Sequence, residues 1–150
     1  MRPGSVSSLM VMPSVAGVRS TLSGWLHREP KVERPRTILV VDSNTTDRRS
    51  TAGRLTRLGF EALEASSAAE AARQLEANDP EFVLLAFDLS DASDFQGLEK
   101  IRDVAPEVPV IMLASSYHDV RAAEAMRRGA LAYLGKPFGQ DDLRELLSRR

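Results

Sequence analysis

The chain has 150 residues, of which 43% are apolar, and its formal net charge is −1. This size and composition suffice for one ordinary hydrophobic core and predict a single main domain. Cysteine is absent, which excludes disulfides, thiolate metal sites and cysteine nucleophiles and is compatible with the cytoplasmic location that we expect. No apolar run approaches the roughly 20 residues of a membrane helix, so we expect no transmembrane segment.

The first part of the chain differs in composition from the rest. Residues 1–36 are rich in Ser, Gly and Pro and carry a net charge of +4, whereas residues 37–150 carry −5. We therefore predict a flexible basic arm, 1–36, before a folded domain, 37–150. Four apolar residues of the arm share one face if the segment is helical: Val18, Leu22, Trp25 and Leu26. Such a helix would pack on its own domain, or would not form because about 12 residues are marginal alone; the alternative is a contact with a partner or a membrane surface.

From Thr37 onward, short apolar runs alternate with helical patterns. Strands are predicted over residues 38–41, 60–65, 82–86 or slightly beyond, 110–113 and 132–134. Helices are predicted from the turn after residue 42 to 58, from 67 to about 77, from 97 to about 104, from about 119 to 128, and from 141 to 149. Five such units with short links predict a parallel, doubly wound α/β sheet, because right-handed crossovers place helices on both faces.

Local signals mark several helix ends. Ser67 and Glu70 have the spacing of a capping box, in which each side chain binds a backbone N–H of the first turn. Gly59 and Gly129 are predicted to end their helices in the left-handed conformation. The four arginines of the first helix are expected on its solvated side: Arg48, Arg49, Arg54 and Arg57.

The carboxyl ends of the central strands are where a doubly wound sheet places its binding site. Polar and small residues follow these strands in the sequence: Asp42 and Ser43 after strand one, Ala86 and Asp88 after strand three, Ala114 and Ser115 after strand four, and Lys136 after strand five. We expect them to meet at one edge of the sheet. Lys136 is expected either to form an ion pair with Asp42 or to extend its ammonium group to water.

Several segments agree in order and spacing with the receiver domain of two-component response regulators. The most specific is 132–138, Ala-Tyr-Leu-Gly-Lys-Pro-Phe, where receivers carry a switch aromatic, a lysine and a proline after a cis peptide. Segments 40–42, 80–85, 97–99 and 109–113 agree as well. Residues 37–150 therefore resemble a receiver domain. The resemblance implies a flavodoxin-like (βα)5 fold with strand order 2-1-3-4-5 and a role in phosphorelay signal transduction.

The resemblance also implies a set of site residues, and this chain departs from it. In receivers an aspartate after strand three accepts a phosphoryl group, two acidic residues after strand one hold Mg²⁺, a Ser or Thr after strand four binds a phosphoryl oxygen, and a lysine pairs with the phosphate. Asp42, Lys136 and the switch residue Tyr133 match the family pattern. The second acidic residue, the acceptor and the hydroxyl are replaced by Ser43, Ala86 and Ala114.

These replacements predict a pseudo-receiver, a receiver fold without the usual chemistry. The methyl group of Ala86 cannot attack phosphorus, and one carboxylate with neighbouring carbonyls is a poor cage for Mg²⁺. We therefore expect no catalytic residue, no enzymatic activity, no metal and no cofactor.

Asp88 leaves an alternative open. It lies two residues beyond Ala86 and hence on the same face of an extended strand, displaced by about 6.6 Å. A register slip of two would make Asp88 the phosphoacceptor and allow weak Mg²⁺ binding at Asp42 and Asp88. The spacing evidence is divided. Receivers typically place the acceptor six residues after the proline that opens the strand, as Ala86 follows Pro80, and eight before the loop glycine, to which Asp88 with nine is nearer than Ala86 with eleven. Leu89 favours Ala86, because receivers place an inward apolar residue three positions after the acceptor.

Function is expected to lie in protein interaction, as a stand-alone signalling protein. In receivers the face of helix four, strand five and helix five commonly presents the output surface. Its predicted members here are Tyr133, Arg121, Arg127, Arg128 and Arg144. Nucleic-acid binding through the basic arm is a further alternative. It is disfavoured because the chain has no helix-turn-helix pattern and the arm is a weak electrostatic footprint.

Overall fold

Ten strands and helices alternate along the part of the chain that the computed structural model describes, residues 36–116 and 118–148. The strands are β1 (Thr37–Val41), β2 (Glu61–Ala65), β3 (Phe82–Ala86), β4 (Val110–Ala114) and β5 (Ala132–Gly135). The helices are α1 (Thr45–Arg57), α2 (Ala68–Ala77), α3 (Gln96–Val104), α4 (Arg121–Arg127) and α5 (Gln140–Leu147). The strands form one parallel sheet in the order β2-β1-β3-β4-β5. The predicted doubly wound, flavodoxin-like fold is thus confirmed.

The most apolar strands occupy the middle of the sheet. Every residue of β3 and β4 is buried, as are the last four residues of β1, because helices cover both faces of a parallel sheet. The edge strand β2 is less buried and carries Glu61 and Glu64. Pairing aligns Val41 with Leu85 and Ala86 with Leu113, so the carboxyl ends of the central strands lie side by side.

The helix ends follow their local signals, with one exception. Gly59 and Gly129 have φ values of 96° and 105°, as predicted for left-handed helix ends. Ser67 Oγ accepts the N–H of Glu70 at 3.1 Å, which is half of the predicted capping box. The other half is displaced by one residue, because Glu70 Oε1 accepts the N–H and the hydroxyl of Ser66 at 2.7 and 2.9 Å.

The fourth helix begins two residues later than the sequence indicated. Asp119 does not open α4; its carboxylate accepts the N–H of Arg121 at 3.0 Å and its carbonyl accepts the N–H of Ala122 at 3.1 Å. These bonds form a turn that precedes the helix. The last helix spans Gln140–Leu147 rather than 141–149. The peptide bond between Lys136 and Pro137 is cis, as the resemblance implied.

The predicted helical face around Trp25 lies outside the described residues, so the arm and its boundary at residue 36 stay predictions. Within the described residues, no helix is long and apolar enough to cross a membrane.

Candidate functional site

The carboxyl edge of the sheet brings together side chains from four strands. Asp42 follows β1 directly, Ala86 and Ala114 are the last residues of β3 and β4, and Lys136 follows β5. The N–H of Lys136 donates to the carbonyl of Ala114 at 3.0 Å, which extends the sheet pairing to this point. This edge is therefore the candidate site.

Lys136 is held by two carboxylates. Its Nζ donates to Asp42 Oδ2 at 2.8 Å, the expected pair, and to Asp47 Oδ2 at 3.0 Å. The Asp42 side chain is only 4% exposed, and its Oδ1 accepts the N–H of Asn44 at 3.0 Å. Burial disfavours the charged form of Lys136, but the hydrogen bonds to Asp42 and Asp47 outweigh it and raise the pKa of the amine. Lys136 is thus a fixed ammonium whose charge is already compensated.

Ser43 joins three loops at this edge. Its hydroxyl donates to the carbonyl of Ser66 at 2.6 Å, and its Oγ accepts the N–H of Ser90 at 2.8 Å. The loops after β1, β2 and β3 are thereby connected through one small side chain. Ser43 therefore has a structural role, which the sequence did not indicate.

Ala86 and Ala114 contribute only methyl groups to this edge of the sheet. Ala86 is 6% exposed and Ala114 is fully buried. The nearest hydroxyl after β4 is that of Ser115, which donates to Asp119 Oδ2 at 3.1 Å. Ser115 therefore stabilises the loop before α4.

Asp88 lies on the exposed rim. Its side chain is 64% exposed, and its Oδ1 accepts a hydrogen bond from Arg121 Nη1 at 2.9 Å. That hydrogen bond holds the pKa of the Asp88 carboxyl below its usual value. Phe87, between Asp88 and the end of β3, is buried and packs edge-to-face on Phe95 with ring centroids 6.0 Å apart. The carboxylates bound to Lys136 are those of Asp42 and Asp47.

Arg121 binds three carboxylates. We call these four residues the Arg121 cluster: Arg121, Asp88, Asp94 and Asp119. Nη1 donates to Asp88 and Asp94 at 2.9 and 3.0 Å, while Nε and Nη2 donate to Asp119 at 3.0 and 2.9 Å. These bonds raise the pKa of Arg121 and hold that of Asp119 well below its usual range. The guanidinium carbon also lies 4.5 Å from the centroid of the Phe87 ring.

Arg121 was predicted to belong to the output face, but its guanidinium is bound to these three carboxylates. Its long side chain reaches back to the loop after β3 and ties it to the loop before α4. In the same loop, Asp91 caps α2 by accepting the N–H groups of Ala68 and Ala69 at 2.8 and 3.0 Å. Asp88 and Asp94 thus both bind Arg121, whereas Asp91 binds the first turn of α2.

Arg48 also differs from its prediction. Its side chain is 12% exposed, its Nε pairs with Glu64 at 3.0 Å, and its Nη1 donates to the carbonyl of Asp42 at 3.0 Å. It is not on the solvated side of α1, because it satisfies a backbone carbonyl at the site edge.

The predicted output face combines paired arginines with apolar side chains. Arg127 and Arg128 both bind Glu124, Arg128 also binds Glu99, and Arg144 binds Asp141. Beside them are three partly exposed side chains that the structure groups around a shallow cleft of about 320 Å³: Met126, Leu131 and Tyr133, with 40%, 45% and 41% of their surface exposed. Met126 and Leu131 were not predicted as members of this face. Met126 lies on α4 and Leu131 directly precedes β5, so they are brought together by the packing of these two elements.

The family model for the response regulator receiver domain matches residues 38–148. The chain belongs to this family. It is 32% identical over 111 residues to the DNA-binding transcriptional regulator NtrC of Rhizobium meliloti (strain 1021), a match that covers 74% of this chain and 22% of NtrC. It is 32% identical over 114 residues to the chemotaxis protein CheY1 of Helicobacter pylori (strain ATCC 700392 / 26695), covering 73% of this chain and 92% of CheY1.

A solved structure agrees with this assignment. The crystal structure of the receiver domain of NtrX from Brucella abortus aligns with a TM-score of 0.70 and 32% identity, over 75% of this chain and 95% of that domain. The chain spans about a fifth of the length of NtrC and nearly all of CheY1. Its described part is a receiver domain of the two-component signalling type.

Proposed function

We propose that this receiver domain is a pseudo-receiver, which acts by protein interaction without aspartyl phosphorylation and has no enzymatic activity of its own. The proposal rests on Ala86, which is the last residue of β3. The resemblance to receivers places the acceptor aspartate at this position. Phosphoryl transfer needs an oxygen nucleophile in line with the phosphorus and cations around the transferred group. Ala86 supplies no nucleophile, and the charge of Lys136 is balanced by Asp42 and Asp47.

The donor set at the edge does not fit Mg²⁺, which needs near-octahedral oxygen ligands at about 2.0 to 2.1 Å. The two oxygens of Asp42 accept from Asn44 and Lys136, and the Ser43 hydroxyl binds two backbone groups. Within residues 36–116 and 118–148, no group of three His, Asp or Glu side chains has the arrangement of a metal site. We therefore infer that the domain works without Mg²⁺.

The surface that best suits a partner is the α4-β5-α5 face. Met126, Leu131 and Tyr133 provide exposed apolar area, and Asp142 and Glu145 line the same cleft. Exposed apolar groups rimmed by charge are typical of protein interfaces, and tyrosine is enriched among residues that dominate binding energy. The partner we infer is a signalling or regulatory protein, and neither a nucleic acid nor a membrane is required.

Substitutions on this face test the interaction. Tyr133→Ala and Leu131→Ser should reduce partner capture at least tenfold, since truncating a side chain that dominates an interface costs about 2 kcal/mol or more and a tenfold loss corresponds to about 1.4 kcal/mol. Lys100→Gln, on the exposed side of α3, is the matched control. Circular dichroism must show unchanged folding in all three variants. Retention of every partner by both face variants would exclude this surface.

One observation favours a second function, phosphorylation of Asp88: its carboxylate is the exposed one near the end of β3. The two functions differ in their response to beryllofluoride, a phosphoryl mimic, with Mg²⁺. The pseudo-receiver predicts no Mg²⁺-dependent change in the ¹H–¹⁵N spectrum around Ala86 and Lys136. Slow-exchange shifts there that Asp88→Asn abolishes would establish the second function instead.

A further inference from the structure

A second cleft lies between α1 and the segment after β5, beside the site described above. Its volume is about 450 Å³, within the range of small-molecule sites, which is roughly 300 to 1,000 Å³. Neither Ala86 nor Asp88 lines it. The lining residues come from α1 and from the ends of β4 and β5: Asp47, Ser50, Thr51, Arg54, Ser115, Lys136, Pro137 and Phe138.

Thr51 gives the cleft a buried, unpaired hydroxyl. The residue is 3% exposed, and within the described parts of the chain its hydroxyl has no hydrogen-bond partner. Helical threonines usually bind the carbonyl four residues earlier, as Thr56 does with the carbonyl of Ala52 at 3.0 Å. Buried polar groups without a partner are rare in folded proteins. A ligand that enters the cleft would provide the missing acceptor.

Arg54 gives the cleft an uncompensated positive charge. Its Nη1 donates to Ser50 Oγ at 3.0 Å, and its guanidinium carbon lies 5.7 Å from the centroid of the buried Phe138 ring. No carboxylate forms an ion pair with Arg54 among the residues that the structure describes. A guanidinium carries five N–H donors, so four remain available. Because Ser50 Oγ accepts from Arg54, its own proton is also free to donate.

Lys136 completes the donor set. Two of its three N–H groups bind Asp42 and Asp47, which leaves one for a ligand. Asp47, whose side chain is 43% exposed, is the one acidic side chain among the described residues that line the cleft, and it would repel an incoming anion. The cleft thus offers one unpaired cation, Arg54, one remaining N–H of the paired Lys136 and two hydroxyl donors to a ligand with several oxygens.

We propose that this cleft binds the phosphate group of a small phosphate monoester. A tetrahedral oxyanion has enough acceptors for Thr51, Ser50, Arg54 and Lys136 together, and charge-assisted bonds from guanidinium and ammonium groups to phosphate are the strong ones. Binding here involves no transfer of the phosphoryl group and no nucleophile. It is therefore independent of whether any aspartate is phosphorylated.

The test is a ¹H–¹⁵N titration of the full chain with inorganic phosphate and, separately, with methyl phosphate. Potassium chloride keeps the ionic strength constant and supplies the reference for unspecific effects. Neither probe can phosphorylate a carboxylate, so the outcome does not depend on the proposed function. We expect saturable shifts at the first turns of α1 and around Lys136 with both probes.

Four variants assign the binding to the cleft. Arg54→Gln should weaken binding at least tenfold, because it removes a charge-assisted interaction. Thr51→Val, which keeps the shape, should weaken it roughly threefold to tenfold while raising the melting temperature of the ligand-free protein, since an unpaired hydroxyl is removed. Asp47→Asn should strengthen binding. Arg57→Gln, one turn further along α1 and bound to Gln140, is the control and should change nothing.

Three results would overturn the proposal. One is a set of shifts that chloride reproduces at equal ionic strength. Another is equal binding by Arg54→Gln and Arg57→Gln. The third is binding of inorganic phosphate without methyl phosphate, which would exclude a monoester. A lower melting temperature in Thr51→Val would show that its hydroxyl already has a partner.

Discussion

The ion pair between Lys136 and Asp42 should be a main stabilising contact at the carboxyl edge. Lys136→Met keeps the aliphatic stem but removes the charged partner of Asp42. The Asp42 carboxylate is 4% exposed, and it would keep only its hydrogen bond from the backbone N–H of Asn44. Removing one partner of a buried pair costs about 3 to 5 kcal/mol. Lys136 is 24% exposed, so the lower end applies, about 3 kcal/mol. Asp47→Asn breaks a half-exposed pair and should cost only about 0.5 kcal/mol.

Urea unfolding at pH 7 measures these differences, and thermal unfolding should place Lys136→Met about 10 °C lower. Adding Asp42→Asn to this variant removes the buried charge while keeping an acceptor for the Asn44 N–H, and should recover roughly 1 to 2 kcal/mol. A double variant no more stable than Lys136→Met would refute the reasoning, as would a single variant as stable as the unmodified protein.

The same pair has a defined pH dependence. The folded protein raises the pKa of Lys136 above its ordinary value of 10.5, so the ion pair contributes fully below that pH. Its contribution is lost as the pH rises through the folded pKa. The stability difference between the unmodified protein and Lys136→Met should therefore be constant from pH 7 to about 10 and shrink above 10.5. An unchanged difference at higher pH would contradict the pKa shift.

Two further predictions concern the neighbouring loops. Arg121→Gln should lower stability by about 2 kcal/mol at pH 7, because the Asp119 carboxylate is 5% exposed and loses its charged partner. Asp119 has a lowered pKa, so this difference is fully present above its ordinary value of 3.8, declines below that pH and is lost only as the pH falls through the lower pKa of the folded protein, which acid unfolding of both proteins measures. Ser43→Asp together with Ala86→Asp should create Mg²⁺ binding, while either change alone should give little. The double variant should be less stable without metal, because clustered carboxylates repel, and its melting temperature should rise on Mg²⁺ titration; no rise would count against this account.

The sequence predicted the sheet well because its signals are local. The central strands are unbroken apolar runs, and their observed bounds differ from the predicted ones by one residue at most. Strand three ends at Ala86, within the prediction of 82–86 or slightly beyond, and Leu89, the apolar residue that favoured this register, is buried. The start of α4 was misplaced because Asp119 has the chemistry of a helix cap but uses it in a preceding turn.

The contacts of the site could not be predicted in the same way. Ser43 binds groups from two loops that are distant in sequence, and Asp47 reaches Lys136 from the first turn of α1. Arg48 and Arg121 have long side chains, whose charged ends are set by tertiary partners rather than by the helix that carries them. Such contacts depend on how the loops meet and not on any spacing in the sequence.

The most direct test of the central claim is the intact mass of the full chain after incubation with acetyl phosphate and Mg²⁺, with a receiver that has the acceptor aspartate as positive control. The account predicts a modified control and an unmodified protein. An acid-stable, base-labile phosphate adduct on this chain would contradict it. Loss of that adduct in Asp88→Asn would identify Asp88 as the acceptor.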